Sequence, residues 1–98
     1  MKDIANHIFI CNEMISEKEK KILKSFGEHL KSLKEKQELS YREFYKRSGV
    51  NTGDIIKYEN GETSPNFITI MRLAIGLKIH PTALLDFDFG VDFSAGLE

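Results

Sequence analysis

The sequence has no tryptophan, a single cysteine and only two prolines among its 98 residues. One cysteine, Cys11, rules out an internal disulfide framework and suits a reducing compartment. That cysteine and three scattered histidines (His7, His29 and His80) show no ligand spacing, so neither a zinc site nor any other cofactor is expected. No apolar run approaches the ~20 residues that span a bilayer. Asp3, Asn6 and His7 interrupt the first residues, and "HIFIC" is shorter than the apolar core of a signal peptide. A soluble cytoplasmic protein is the expectation. The terminal Leu97-Glu98 resembles a cloning scar and carries no structural weight.

An excess of one charge is also missing. The formal net charge is −1, which excludes a global basic field drawing the chain to nucleic acid or membrane. Residues 1–24 carry five Lys against four acids, and residues 25–86 carry nine Lys plus Arg against eight acids. The last twelve residues carry three acids and no base, so any basic face has to be local. A chain of this length holds one domain, and its 41% apolar content is enough for a small helical core. No Ser/His/Asp, Cys/His or paired-carboxylate arrangement stands out, and no Gly-rich phosphate loop follows a strand, so an enzyme is not expected.

What is present is helical. Ser16 and Glu19 have the spacing of a capping box, and Ile22, Leu23, Phe26, Leu30 and Leu33 form one apolar stripe, with Lys and Glu on the other faces. Gly27 interrupts that helix, at a cost of about 1 kcal/mol against Ala, which implies either that something packs close there or that the helix proper begins near it. Ser40 and Glu43 make a second capping box, Phe44 faces inward, and Gly49 is placed to end this short helix in the left-handed region. Asn51 is the N-cap of a third helix, with Asp54 at its third position, Ile55 and Tyr58 turned in, and Asn60-Gly61 as its stop. Ser64, Pro65 and Asn66 start a fourth, whose apolar face is Phe67, Ile70, Met71, Leu73, Ala74 and Leu77. His80 caps a fifth at Pro81, with Leu84 and Leu85 inward.

The two ends read differently. "FDFGVDF" places Phe87, Phe89, Val91 and Phe93 on one side in a period of two, and "IANHIFIC" is rich in β-branched and aromatic residues. The plain reading is a terminus whose Phe residues lie on the helical core. The sharper one is a small sheet or strand exchange between head and tail, across a dimer. The chain thus divides into an extension (1–24), a helical domain (25–86) and an acidic, Phe-rich tail (87–98).

Two helices joined by a short turn containing Gly, the second short and exposed, make a helix-turn-helix. Val50 plugs its corner, while Thr52, Gly53, Ile56 and Lys57 remain outside. From about Phe26 to Leu85 the sequence resembles the lambda-repressor-like, Cro/C1-type helix-turn-helix proteins, often called the XRE family. The carriers are "GEHLKSLKEKQELSYREFYKRSGV" and "IIKYENGETSPNFITIMRLAIGLKIHPTALL". Within them stand Leu39-Ser40, Gly49-Val50, Glu59 with Gly61, Pro65, Thr69, and Leu73-Ala74 before Leu77.

The resemblance implies an all-α, compact five-helix domain that binds double-stranded DNA as a dimer, the second helix of the motif (about 52–59) in the major groove. Carried over by position, Thr52, Gly53 and Ile56 would face base edges and Lys57 would lie near base or phosphate. Tyr41, Arg42, Asn51, Asn60 and Asn66 would approach phosphate. The family usually has Gln at the position of Tyr41, a small Ala at that of Tyr45, and often Arg at that of Asn60. For Tyr45 packing is the favoured role, and for Glu59 a local cap or ion pair. Arg42, Lys46, Arg47 and Lys57, taken singly, also fit the solvated faces of short helices. A transcriptional regulator or repressor is the leading reading, with an antitoxin as its variant. The alternative from another class is a protein-interaction module, suggested by the near-neutral charge and the apolar tail.

Overall fold

The computed structural model describes residues 17–91 and residue 94. Ser16, the "IANHIFIC" head with His7, and Phe93 lie outside the described residues, and with them the head's part in any strand exchange. Among the described residues five helices follow in order: α1 (Glu17–Lys36), α2 (Tyr41–Ser48), α3 (Thr52–Glu59), α4 (Phe67–Leu77) and α5 (Pro81–Leu84). Among the described residues there is no strand, so Phe87 to Val91 do not use their alternation for pairing.

The caps explain where the helices begin. Ser40 Oγ accepts from Glu43 N–H at 3.1 Å, Asn51 Oδ1 from Gly53 N–H at 2.7 Å, and Asn66 Oδ1 from Thr69 N–H at 2.8 Å. His80 Nδ1 accepts from Thr82 N–H at 3.1 Å, so the histidine is the cap of α5. Each such cap satisfies an otherwise orphaned amide and contributes about 1 kcal/mol. Gly49 ends α2 at φ 75°, which no L-side chain adopts cheaply, and its N–H returns to Tyr45 O.

Apolar periodicity then decides the packing. Phe26 and Leu30 of α1, Phe44 of α2, Ile55 of α3, Leu73, Ala74 and Leu77 of α4, and Leu84 of α5 form the core, completed by Leu39 and Val50 from the turns. α2 packs chiefly on α4, and α1 on α3. The second contact is unusually close. A Cβ built on Gly27 would lie 2.4 Å from the carbonyl oxygens of both Tyr58 and Glu59, which is why this helix carries a glycine mid-length.

Three expectations fail at the edges of this core. Phe67 is 70% exposed: it is the first residue of α4, and side chains lean toward a helix's N-terminus, so it projects past the core. Leu85 is 39% exposed, because α5 is a single turn and Leu85 caps it rather than continuing its inward face. Tyr45 points out at 51% exposure instead of packing between the helices. The tail follows the plain reading as far as it is described. The Phe87 ring lies 6.1 Å from that of Phe26, 5.2 Å from that of His29 and 4.4 Å from that of Phe89. His29 Nε2 donates to Ala83 O at 3.0 Å, fastening α1 to α5.

Candidate nucleic-acid interface

The turn between α2 and α3 is built from backbone bonds taken up by one small side chain. Ser48 is buried; its hydroxyl donates to Phe44 O at 2.7 Å and accepts from Val50 N–H at 3.0 Å. Val50, 6% exposed, closes the corner. α3 leaves it with Ile55 fully buried and Tyr58 half-buried against the core. Gly53, Asp54, Ile56 and Lys57 stand in solvent, and Thr52 is half-buried.

The far end of α3 is held by a buried ion pair. Glu59 and Lys34 are 7% and 5% exposed, and Lys34 Nζ meets Glu59 Oε2 at 3.2 Å, as a charge contact without directed hydrogen-bond geometry. The other oxygen, Oε1, accepts from the Tyr41 hydroxyl at 2.6 Å. Lys34 Nζ also lies 3.3 Å from the centroid of the Tyr41 ring, a cation–π contact. One residue from each of α1, α2 and α3 therefore meets in a single polar cluster.

The sequence-derived residues fall into three groups. Thr52, Gly53, Ile56 and Lys57 share the outer side of α3, and Arg42 stands exposed one residue into α2. Asn51 and Asn66 are exposed but hold their side-chain oxygens on cap amides, and Asn60 donates its amide to Glu62 Oε2 at 3.3 Å. Tyr41 stands apart, half-buried with its hydroxyl on Glu59. Lys34 was missed. It had been placed with the polar face of α1, yet the four-residue steps Phe26, Leu30, Lys34 put it on the inward stripe. Gln37 was missed as well; its amide donates to Leu77 O at 2.6 Å and joins the end of α1 to the end of α4.

A helix-turn-helix family model matches residues 30–84, more than half of the chain and all of the packed motif. The chain belongs to the Cro/C1-type helix-turn-helix family. It is 40% identical over 58 residues to the HTH-type transcriptional repressor RghR of Bacillus subtilis (strain 168). That match takes in 58% of this chain and 43% of the repressor, so the chain spans less than half of that relative's length. Among solved structures it is similar to the restriction-modification controller protein C.AhdI from Aeromonas hydrophila, at TM-score 0.61 and 29% identity. The similarity covers 63% of this chain and 94% of the controller. As a helix-turn-helix protein the chain is of the DNA-binding, transcription-regulating type. Its α2 and α3 are the two helices of the motif.

Proposed function

We propose that the chain binds double-stranded DNA sequence-specifically as a small transcriptional repressor, with α3 in the major groove. The observation that carries this is α3 itself: a two-turn helix, fixed at the Ser48–Val50 corner and again at Glu59, with Thr52, Gly53, Ile56 and Lys57 left facing outward. On this reading Thr52 and Ile56 meet base edges and Lys57 a base or phosphate, while Arg42 and the side-chain amides of Asn51, Asn60 and Asn66 lie along the backbone. The binding unit is the 25–86 domain, flanked by its two extensions, and its place is the cytoplasm. Two copies acting on half-sites about 34 Å apart would double a weak contact set.

A second reading draws on α4, where Phe67, Ile68 and Ile75 are 70%, 57% and 64% exposed. So much outward apolar surface on one helix suits a protein contact, either the dimer or a partner such as a toxin. Selection of bound sequences from random duplex DNA, followed by titration of the enriched site at two salt concentrations, separates the readings. With Lys57 on phosphate, Lys57→Ala should weaken binding on every sequence alike and lower the salt slope by about 1; with Lys57 on a base, it should also relax the preference at that position. Unselected sequences after repeated rounds, or a slope and affinity unmoved by Lys57→Ala, would reject α3 as the DNA-facing helix.

A further inference from the structure

The geometry points to Tyr41 as a positioning residue that sets the angle of α3, rather than as a group that touches the duplex. This rests on the DNA-binding reading and assigns its sequence discrimination to a residue behind the reading helix. Two points fix the direction of a rod. α3 is held at both ends: at its start by the turn, whose Val50 N–H donates to Ser48 Oγ at 3.0 Å just before the helix, and at its last residue by Glu59 Oε1, which accepts from the Tyr41 hydroxyl at 2.6 Å. Tyr41 is the first residue of α2 and Glu59 the last of α3. The bond therefore joins the open ends of the two helices, opposite the turn that joins their closed ends.

The remaining constraints on Glu59 come from α1 and act along a different direction. The Gly27 backbone abuts the Tyr58 and Glu59 carbonyls, and Lys34 holds Oε2 at 3.2 Å. These press α3 onto α1; Lys34 also meets the Tyr41 ring of α2, a contact less directional than the hydroxyl's hydrogen bond. Apart from Ile55, buried in the core with Phe44, and Lys34, which touches both Tyr41 and Glu59, the crossing of α2 with α3 carries no other side-chain tie among the described residues. Tyr45, on the next turn of α2, points away at 51% exposure, and Gly53 and Asp54 on the first turn of α3 are in solvent. Over an eight-residue helix of ~12 Å, a tilt of roughly 10° about the turn moves the far end by about 2 Å. At Ile56 and Lys57, midway along, the shift is about 1 Å, more than the few tenths of an ångström that a base-edge hydrogen bond tolerates, whereas phosphate attraction tolerates it. Losing the Tyr41 bond should therefore blunt discrimination before it weakens general affinity.

Tyr41→Phe is the test, because it removes the hydroxyl and keeps the ring over Lys34. The full chain is titrated with its selected duplex and with a random duplex of the same length, at two salt concentrations, beside Arg42→Ala as the exposed neighbour. The expected result for Tyr41→Phe is an affinity for the selected duplex lower by about tenfold, the scale of one misaligned base-edge contact. The random duplex and the salt slope should be unchanged, while Arg42→Ala should weaken both duplexes. Equal losses on both duplexes for Tyr41→Phe would mean a direct phosphate contact, and no loss on either would mean a bystander; each overturns the assignment. Amide hydrogen exchange without DNA reads the tie separately: Tyr58 to Gly61 should exchange faster in Tyr41→Phe, and unchanged exchange rejects the tie. Wild type with no preferred duplex would instead reject the DNA reading while leaving the exchange result to stand on its own.

Discussion

Gly27 and Lys34 occupy the same inward side of α1, about two turns apart, and each meets the C-terminal end of α3. They act by opposite means, one by having no side chain and one by having a long charged one. A methyl on Gly27 would strike backbone carbonyls, which cannot rotate away, so the helices must separate. Gly27→Ala should lower the free energy of unfolding by about 3 kcal/mol, although Ala is the better helix former in isolation. Denaturant unfolding of the two proteins checks this, and a stabilised Gly27→Ala would mean that α1 and α3 do not approach as described. For Lys34→Ala the loss is that of a buried charge's partner, about 3–5 kcal/mol. Lys34→Met, which keeps the stem's packing, should cost nearly as much, since Glu59 is stranded either way. Near-wild-type stability of Lys34→Met would show that burial of the stem, not the ion pair, holds this cluster.

Where helices begin and end was legible because capping is local chemistry. Ser40, Asn51, Asn66 and His80 each take the amide that their position in the sequence suggests, and Gly49 is left-handed where the stop was expected. For Gly27 the sequence left a close approach and a helix start both open, and only the structure chooses the first and shows what approaches. What could not be read was tertiary: that Phe67 overhangs the core, that Tyr45 turns out, and that Tyr41 reaches back to Glu59 eighteen residues on. These depend on helix crossing, and periodicity within a single helix carries no information about it. The end of α4 holds a further surprise. Lys78 sits at φ 58°, closing the helix in a conformation that suits glycine, while Gly76 lies inside the helix. Lys78→Gly should stabilise the protein by about 0.5–1 kcal/mol, the relief of left-handed strain less the added freedom of the unfolded chain. A rise of a few degrees in melting temperature would fit, and a fall would mean that the Lys78 side chain contributes more than its backbone costs.

As a whole the molecule couples a nearly neutral charge to an apolar seam at its end. The Phe87 ring covers Phe26 and His29, so the tail is part of the described core and not only an acidic appendage. Truncation after Leu85 should reduce stability by about 1.5–3 kcal/mol, the burial of one aromatic side chain, while leaving the helix content unchanged. Circular dichroism during thermal unfolding measures both, and equal melting temperatures would place Phe87 outside the cooperative unit. On the proposed DNA-binding reading, the same near-neutrality keeps non-specific attraction low and leaves selectivity to the few groups on α3. Among those groups Gly53 stands out for what surrounds it. A Cβ there would meet only the Asn51 side-chain oxygen, at 3.1 Å, and a shift of a few tenths of an ångström clears it. Gly27 is walled in on the inner side of the domain, whereas Gly53 opens outward at the start of α3. The two glycines therefore have different evolutionary prospects: one position is closed to variation by the fold, and the other, for a small shift of the Asn51 cap, is a blank letter in which a lineage, or a designer, can write a side chain.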